Sequence, residues 1–151
     1  MWDAITAPAQ VIRWWGELTA NMRSGGDFQL RWLNEEAEKQ SAGWRGALTE
    51  FDPPRVLETS GIWGHNDEPW GANDAIPRFA LTPDGDGTIL RFTNTLARMP
   101  DEFRTKVPTG WHWQLDSLAD VLDGGREPNL NDMDSWTHIH AGYEEKYAGV
   151  S

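Results

Sequence analysis

Cysteine is absent from this chain of 151 residues. The protein therefore has no disulfide framework, no thiol nucleophile and no thiolate metal ligand. Basic residues are also scarce, since 13 Lys and Arg face 24 Asp and Glu and the net charge is −11. Because so acidic a surface repels phosphate backbones and anionic lipid, we expect neither nucleic-acid binding nor membrane docking.

Long apolar runs are missing as well. No stretch approaches the roughly 20 apolar residues of a membrane-spanning helix. The start, Met1 to Ile5, lacks the basic and apolar regions of a signal peptide. A chain without cysteine is compatible with a reducing compartment. We therefore expect a cytoplasmic protein, with a length that fits one domain and one hydrophobic core.

Tryptophan, in contrast, is abundant, because the chain contains ten of them. Each indole offers a large apolar ring and one N–H group that needs a partner. Two interpretations stay open. The rings either fill the core, or several of them line an internal cavity or a contact surface.

Period-two alternation in the middle of the chain predicts an antiparallel meander. Turn signals at residues 52–55 and 83–87 separate the alternating segments. Residues 34–43 are interpreted as a polar loop or hairpin tip, and residues 64–73 as a loop that carries Trp70. The predicted strands are residues 27–33, 44–51, 56–63, 76–82 and 88–96.

Helical signals mark both ends of the chain. Residues 2–15 predict two short helical pieces, with Thr6 capping the second and Pro8 near its first position. A long helix after the sheet is predicted to begin at a Thr109 cap and to end at Gly124. Its inner stripe is predicted to be Trp111, Leu115, Leu118 and Leu122.

A last helix is predicted after a linker. Asp134 or Ser135 is its expected cap. Its apolar stripe is predicted to be Trp136, Ile139, His140, Tyr143 and Tyr147.

Short motifs occur in a fixed order along residues 2–123. They are Trp2-Asp3-Ala4-Ile5-Thr6, Trp14-Trp15-Gly16, Gly25-Gly26-Asp27-Phe28, Asp52-Pro53-Pro54-Arg55, Leu81-Thr82-Pro83 with Asp86-Gly87-Thr88, and Gly110-Trp111. Their order and spacing resemble the SRPBCC superfamily of START and birch-pollen-allergen-like proteins. Within it, the chain is similar to the branch named after the activator of Hsp90 ATPase.

This resemblance implies an α+β helix-grip fold, in which a curved antiparallel sheet wraps around a long C-terminal helix and a cavity lies between them. Many members bind apolar ligands, some are enzymes such as cyclases, and the eukaryotic namesake binds Hsp90. We expect a helix-grip domain over residues 1–123, a linker over 124–133, and a helical tail over 134–151 that packs on the same domain.

The chain departs from the family at its start. Members normally begin with a strand before the motif that opens here at Trp2, and that strand pairs beside the one predicted at Thr88–Leu96. Three explanations stay open. The native start differs from Met1, the tail after Gly124 replaces the strand, or a second chain pairs there as a homodimer, because an open strand edge invites pairing.

The polar residues do not predict a metal or catalytic site. His138 and His140 point away from each other on a helix, and zinc needs three or four converging ligands. Residues 84–87 fit a hairpin turn better than a calcium loop, and His112 is expected to be superficial or partly packed. Hydrolase and phosphate-loop motifs are missing. We therefore expect no cofactor, no metal and no catalytic residue.

Two functions remain, with a cyclase-like enzyme that uses the same cavity as a third. The first is non-catalytic binding of a hydrophobic or aromatic small molecule between sheet and long helix. The second is a protein-interaction or Hsp90 co-chaperone-like role through the Trp70 loop and the last helix. The predicted ligand-binding residues are Leu30, Trp32, Leu48, Trp63, Phe79, Phe92, Trp111 and Leu115. The alternative is that these side chains fill a solid core.

Overall fold

The computed structural model describes residues 1–39, 42–65, 68–69, 75–124 and 127–150. Trp70 and most of the loop predicted around it lie outside these ranges, and so does the interaction surface predicted there. Among the described residues, no helix is both long and apolar enough to cross a membrane.

An antiparallel sheet of seven strands forms the frame. The strands are β1 (Glu17–Ala20), β2 (Asp27–Arg31), β3 (Gly43–Asp52), β4 (Val56–His65), β5 (Glu68–Pro69), β6 (Ala75–Asp84) and β7 (Gly87–Leu96). They lie in the order β1-β2-β3-β4-β6-β7, and the short β5 pairs with β4. Apart from β5, strands that follow one another along the chain are neighbours in the sheet, which confirms the predicted meander.

The five predicted strands correspond to β2, β3, β4, β6 and β7. Alternating burial is clearest in β6, where every second residue from Ala75 to Leu81 is buried. The turn between β6 and β7 is also confirmed. Asp84 pairs with Gly87 across it, and Gly85 takes a positive φ of 60° that favours glycine.

Several short elements are not predicted by the sequence pattern, among them β5 (Glu68–Pro69), which lies in the segment interpreted as a loop over residues 64–73. Strand β1 pairs antiparallel with β2, although its four residues bury only Leu18 completely. A short helix, α3 (Glu35–Lys39), occupies part of the segment interpreted as a loop over residues 34–43. The loop interpretation is wrong for those five residues.

Two short helices open the chain, as predicted. They are α1 (Trp2–Thr6) and α2 (Pro8–Val11), with Pro8 at the start of α2. The predicted cap is wrong, because Ala7 occupies the cap position of α2. The Thr6 hydroxyl instead donates to the carbonyl of Trp2 at 2.9 Å.

The long helix α4 (Lys106–Asp123) ends at Gly124, whose φ of 65° confirms the predicted stop. It begins before the predicted Thr109 cap, since Thr105 is the residue that precedes its first turn. Thr109 lies inside the helix and donates its hydroxyl to the Thr105 carbonyl at 2.7 Å.

The face that α4 buries is rotated relative to the predicted stripe. Leu118 is buried, but Leu122 is 39% exposed, and Trp111 and Leu115 are half-buried. The other buried positions follow one another at four-residue spacing and are Thr109, Trp113, Ser117 and Val121. The prediction of Leu122 as an inner residue is therefore wrong.

The last helix, α5 (Met133–Tyr147), has Asp132 as its cap. The Asp132 carboxylate accepts from the Ser135 backbone N–H at 3.1 Å, so the caps predicted at Asp134 or Ser135 are displaced by two or three residues. All five residues of the predicted stripe are half-buried. Helix α5 packs on α4, where His140 Nε2 lies 3.0 Å from the Thr105 hydroxyl.

The core joins the sheet, the first helices and α4. The Trp15 ring packs against the rings of Phe28, Phe79 and Trp111 at centroid distances of 5.9, 5.7 and 5.5 Å. Leu118 and Val121 of α4 belong to the same buried cluster. The sheet thus closes over α4, and the predicted α+β helix-grip fold is confirmed.

Strand β7 is one edge of the sheet. Its side chains alternate between exposed and half-buried, and Ile89 is 54% exposed. The tail does not replace the family's first strand, because the described residues after Gly124 contain α5 and no strand. Of the three explanations for the missing first strand, replacement by the tail is therefore wrong for residues 127–150.

Candidate ligand-binding site

Two cavities lie between the sheet and the helices α4 and α5, and Trp111 lines both of them. We call the first the tryptophan cavity, because seven of the nine tryptophans in the described part of the chain line it. Its volume is about 400 Å³. The seven rings are those of Trp15, Trp32, Trp44, Trp63, Trp111, Trp113 and Trp136.

Register and helical spacing bring these rings together. Trp44 of β3 and Trp63 of β4 are direct partners across the two strands, so their side chains point to the same face of the sheet. Their rings meet edge to face at 6.0 Å. The opposite wall is α4, which contributes Trp111 and Trp113, and Trp136 closes the space from α5.

The tryptophan cavity contains few polar groups. Lys106 is the only ionisable side chain among its described lining residues. The other polar side chains are Asn34, Gln114 and the indole N–H groups. Such a site offers stacking surface and a few hydrogen bonds, but no paired acid and base.

Three polar atoms of this lining are buried without a hydrogen-bond partner in the described part of the chain. They are the indole Nε1 of Trp44, the indole Nε1 of Trp63 and the amide Oε1 of Gln114. Trp44 and Trp63 are only 2% and 8% exposed. By contrast, the Trp14 N–H donates to the Ala4 carbonyl at 2.7 Å.

The second cavity, which we call the β7 cavity, has a volume of about 630 Å³. Its walls are the inner side of β7, with Phe92 and Asn94, and residues of α4 and α5. Arg104, His112 and Tyr143 make its rim more polar than the tryptophan cavity.

His112 does not form a catalytic dyad here. Its Nε2 lies 3.6 Å from the Asp116 carboxylate, which is too long for a hydrogen bond. The two side chains are 48% and 63% exposed. The Tyr143 hydroxyl lies 3.3 Å from His112 Nδ1, so this histidine serves to join α4 to α5. The described residues contain no cluster of three or more potential metal ligands.

The structure distributes the eight predicted ligand-binding residues over three places. Trp32, Trp63 and Trp111 line the tryptophan cavity. Phe92 and Leu115 line the β7 cavity, together with the shared Trp111. The remaining three lie in the packed core and are Leu30, Leu48 and Phe79.

Four residues of the tryptophan cavity are not among those predicted from the sequence. Trp44, Trp113, Gln114 and Trp136 all line it. The four-residue spacing of Thr109, Trp113, Ser117 and Val121 is a signal for the inner face of α4. That row is easily overlooked because half of its members are small and polar.

Comparison with known proteins gives one family. The model described as activator of Hsp90 ATPase homolog 1-like protein matches residues 1–123. No curated protein matches the chain at a significant level.

Several solved structures share the fold. The crystal structure of CalU16 from Micromonospora echinospora is 26% identical, with a TM-score of 0.68, and the match covers 95% of this chain and 77% of that one. The solution structure of the Aha1 dimer from Colwellia psychrerythraea is 21% identical, with a TM-score of 0.64, and covers 83% and 87%. Protein MLL2253 from Mesorhizobium loti is 23% identical, with a TM-score of 0.63, and covers 83% and 88%.

Proposed function

The chain belongs to the family of activator of Hsp90 ATPase homolog 1-like proteins, and from that premise we propose that it binds a hydrophobic or aromatic small molecule in the tryptophan cavity without catalysing a reaction. The observation that carries this proposal is the convergence of seven indole rings on one space of about 400 Å³. Protein interiors are normally filled to near-crystal density. The space opens to the surface beside the exposed Lys106 and Met133, so a small molecule can enter it.

The size and chemistry of the cavity support this function. Sites for small molecules typically measure about 300–1,000 Å³ and have mostly apolar walls with a few polar groups. Here the walls are mainly indole faces, which stack on flat rings. Lys106, without an acidic neighbour in the described lining, offers no acid–base pair, which favours binding over catalysis.

The site proposed from the sequence takes a more specific form. Trp32, Trp63 and Trp111 contact the ligand directly, while Leu30, Leu48 and Phe79 support the wall from behind. The domain limits proposed from the sequence stay the same, and the packing of α5 on α4 supports a tail that belongs to the helix-grip domain. The lack of cysteine supports a cytoplasmic location.

Two alanine variants test the proposed site. Trp63→Ala and Trp111→Ala remove one ring each from the lining, and we expect them to reduce ligand uptake more than they reduce stability. Full loss of a packed aromatic ring costs roughly 3–5 kcal/mol where the void does not relax, but a ring that faces a cavity has fewer neighbours to lose. Native mass spectrometry of the purified protein reads retained small molecules, and urea titration reads stability. If the wild type retains no apolar compound and both variants unfold, the cavity is only core.

A second candidate function is protein interaction through the open edge at β7, the residues of the predicted Thr88–Leu96 strand. The observation that favours it is the position of β7 at the end of the sheet with Ile89 exposed. A second copy of the chain would pair there as a homodimer, and the family name points to Hsp90 as an alternative partner. The same native mass spectrum reports subunit number, and a strictly monomeric protein that does not bind purified Hsp90 contradicts this candidate.

A further inference from the structure

The unpaired polar atoms of the tryptophan cavity are not scattered. Two are indole N–H donors from Trp44 and Trp63, which stand side by side on the sheet. The third is the amide oxygen of Gln114, an acceptor on α4, the wall opposite the sheet. The cavity thus has a donor end and an acceptor end.

Unpaired buried groups of this kind are rare in native proteins, where about 90% or more of buried polar groups have a partner. Bulk water does not substitute, because the three atoms have almost no accessible surface. The edge-to-face contact between the Trp44 and Trp63 rings supplies a weak N–H···π contact to one of the two donors at most. Packing within the described chain therefore leaves at least one indole N–H and the Gln114 amide oxygen without a partner.

We propose that the ligand is a flat aromatic compound with a hydrogen-bond acceptor, such as a carbonyl, at one end and a donor, such as a hydroxyl, at the other. This inference rests on the proposed function and specifies its ligand class. The acceptor end faces the sheet and takes the N–H groups of Trp44 and Trp63. The donor end faces α4 and bonds to Gln114, while the rings of Trp15, Trp111 and Trp136 stack on the aromatic body. Because these three atoms are closed to solvent, the proposal requires the side chains of Trp44, Trp63 and Gln114 to turn about their torsions when the ligand binds.

Three naphthalene probes of similar shape test the proposal by isothermal titration calorimetry. 2-Acetyl-6-hydroxynaphthalene has both polar ends, 2-acetylnaphthalene has only the acceptor, and 2-isopropylnaphthalene has neither. We expect the affinity to rise by about three- to tenfold with each polar group, the usual net gain from one hydrogen bond.

Variants that keep the ring or the side-chain length assign each gain. The double variant Trp44→Phe with Trp63→Phe is expected to abolish the gain from the acetyl group, and Gln114→Met the gain from the hydroxyl. Trp14→Phe is the matched control, because that N–H is already bonded to the Ala4 carbonyl, and both gains should persist in it.

The outcomes separate this inference from the proposed function. Equal affinities for the three probes, or gains that persist in the double variant and in Gln114→Met, overturn the two-ended ligand but leave aromatic binding in place. Failure of all three probes to bind overturns the proposed function and this inference together.

Discussion

At the scale of single residues, the buried tryptophans divide into partnered and unpartnered donors. Trp14 and Trp44 are 0% and 2% exposed, yet only Trp14 donates a hydrogen bond within the described chain. Both rings would lose similar volume on replacement by phenylalanine. The two substitutions differ in the hydrogen bond that Trp14 loses, and also in packing, because Trp44 lines the tryptophan cavity and has fewer neighbours to lose.

We expect Trp14→Phe to lower the free energy of unfolding by about 1–3 kcal/mol more than Trp44→Phe, because it leaves the Ala4 carbonyl unsatisfied. Urea titration of both variants gives the comparison. Equal losses would mean that the Trp44 N–H has a partner, and would remove one of the two donors assigned to the ligand.

The sequence predicts which aromatic rings face inward better than it predicts which residues those rings contact. Alternation places Trp32 and Trp63 on the inner face of the sheet, and both line the tryptophan cavity. Phe79 also lies on the inner face but is part of the packed core. Alternation predicts which face of the sheet a side chain is on, and does not predict whether that side chain lines a cavity or fills the core. Trp136 of α5 lines the cavity as well, and the meeting of α5 with α4 is a tertiary contact without a local signal.

At the scale of elements, the boundaries of the helices show the limits of local patterns. Thr109 has the residue type of a cap, but the 3₁₀ turn at Asp101–Phe103 leads into α4 one turn earlier. The spacing of apolar residues in α4 predicts Leu122 as an inner residue. The row that is buried against the sheet is instead the one that contains Trp113 and Ser117. Packing against the sheet overrides the apolar stripe.

The cap of α5 gives an element-scale prediction. Asp132 accepts from the Ser135 N–H at 3.1 Å, so Asp132→Ala is expected to cost about 0.5–2 kcal/mol of stability. Asp134→Ala is the control, because that carboxylate lies in the first turn and contributes only through the helix dipole, about 0.3–1 kcal/mol. Thermal unfolding of both variants supplies the test. A larger effect of Asp134→Ala would contradict the assignment of the cap.

The outer face of the sheet carries an ion cluster that spans three strands. Glu50 of β3 and Glu58 of β4 are register partners, and like charges placed so are destabilising. Arg78 of β6 bridges them, with direct contacts to both carboxylates. The hydrogen bond from Arg78, opposed by burial and assisted by charge attraction, lowers the pKa of the Glu50 carboxyl below its ordinary value.

Arg78→Met is expected to destabilise the protein at neutral pH, because two adjacent carboxylates lose their shared cation. A carboxyl whose folded-state pKa is lowered stabilises the fold above its unfolded pKa, and this contribution disappears as the pH falls through the folded pKa. The gap between wild type and variant should therefore shrink as the pH drops below about 4. Arg91→Met on the exposed side of β7 is the control. Urea unfolding midpoints of wild type and Arg78→Met, measured from pH 7 to pH 3, test this prediction. A difference in stability that grows on acidification would contradict the role assigned to Arg78.

At the scale of the whole molecule, the sheet order and the long helix follow from the sequence because each depends on a repeating local signal. Alternation over β3, β4, β6 and β7 and the turns between them leave few arrangements other than a meander covered by α4. Strand β1 lacks that signal because it is short and half-exposed. The two cavities could not be derived in the same way, since they depend on how α4 and α5 are rotated against the sheet.

The central claim, that an aromatic ligand occupies the tryptophan cavity, is tested most directly by the indole N–H resonances in a ¹H–¹⁵N NMR spectrum. The ten tryptophans give separate signals that single Trp→Phe variants assign, and 2-acetyl-6-hydroxynaphthalene serves as the ligand. We predict large shifts for Trp44, Trp63, Trp111 and Trp136, which line the cavity, and little change for Trp2, which packs on Phe51 instead. Saturating ligand that leaves the cavity signals in place, or that moves Trp2 alone, would contradict the claim.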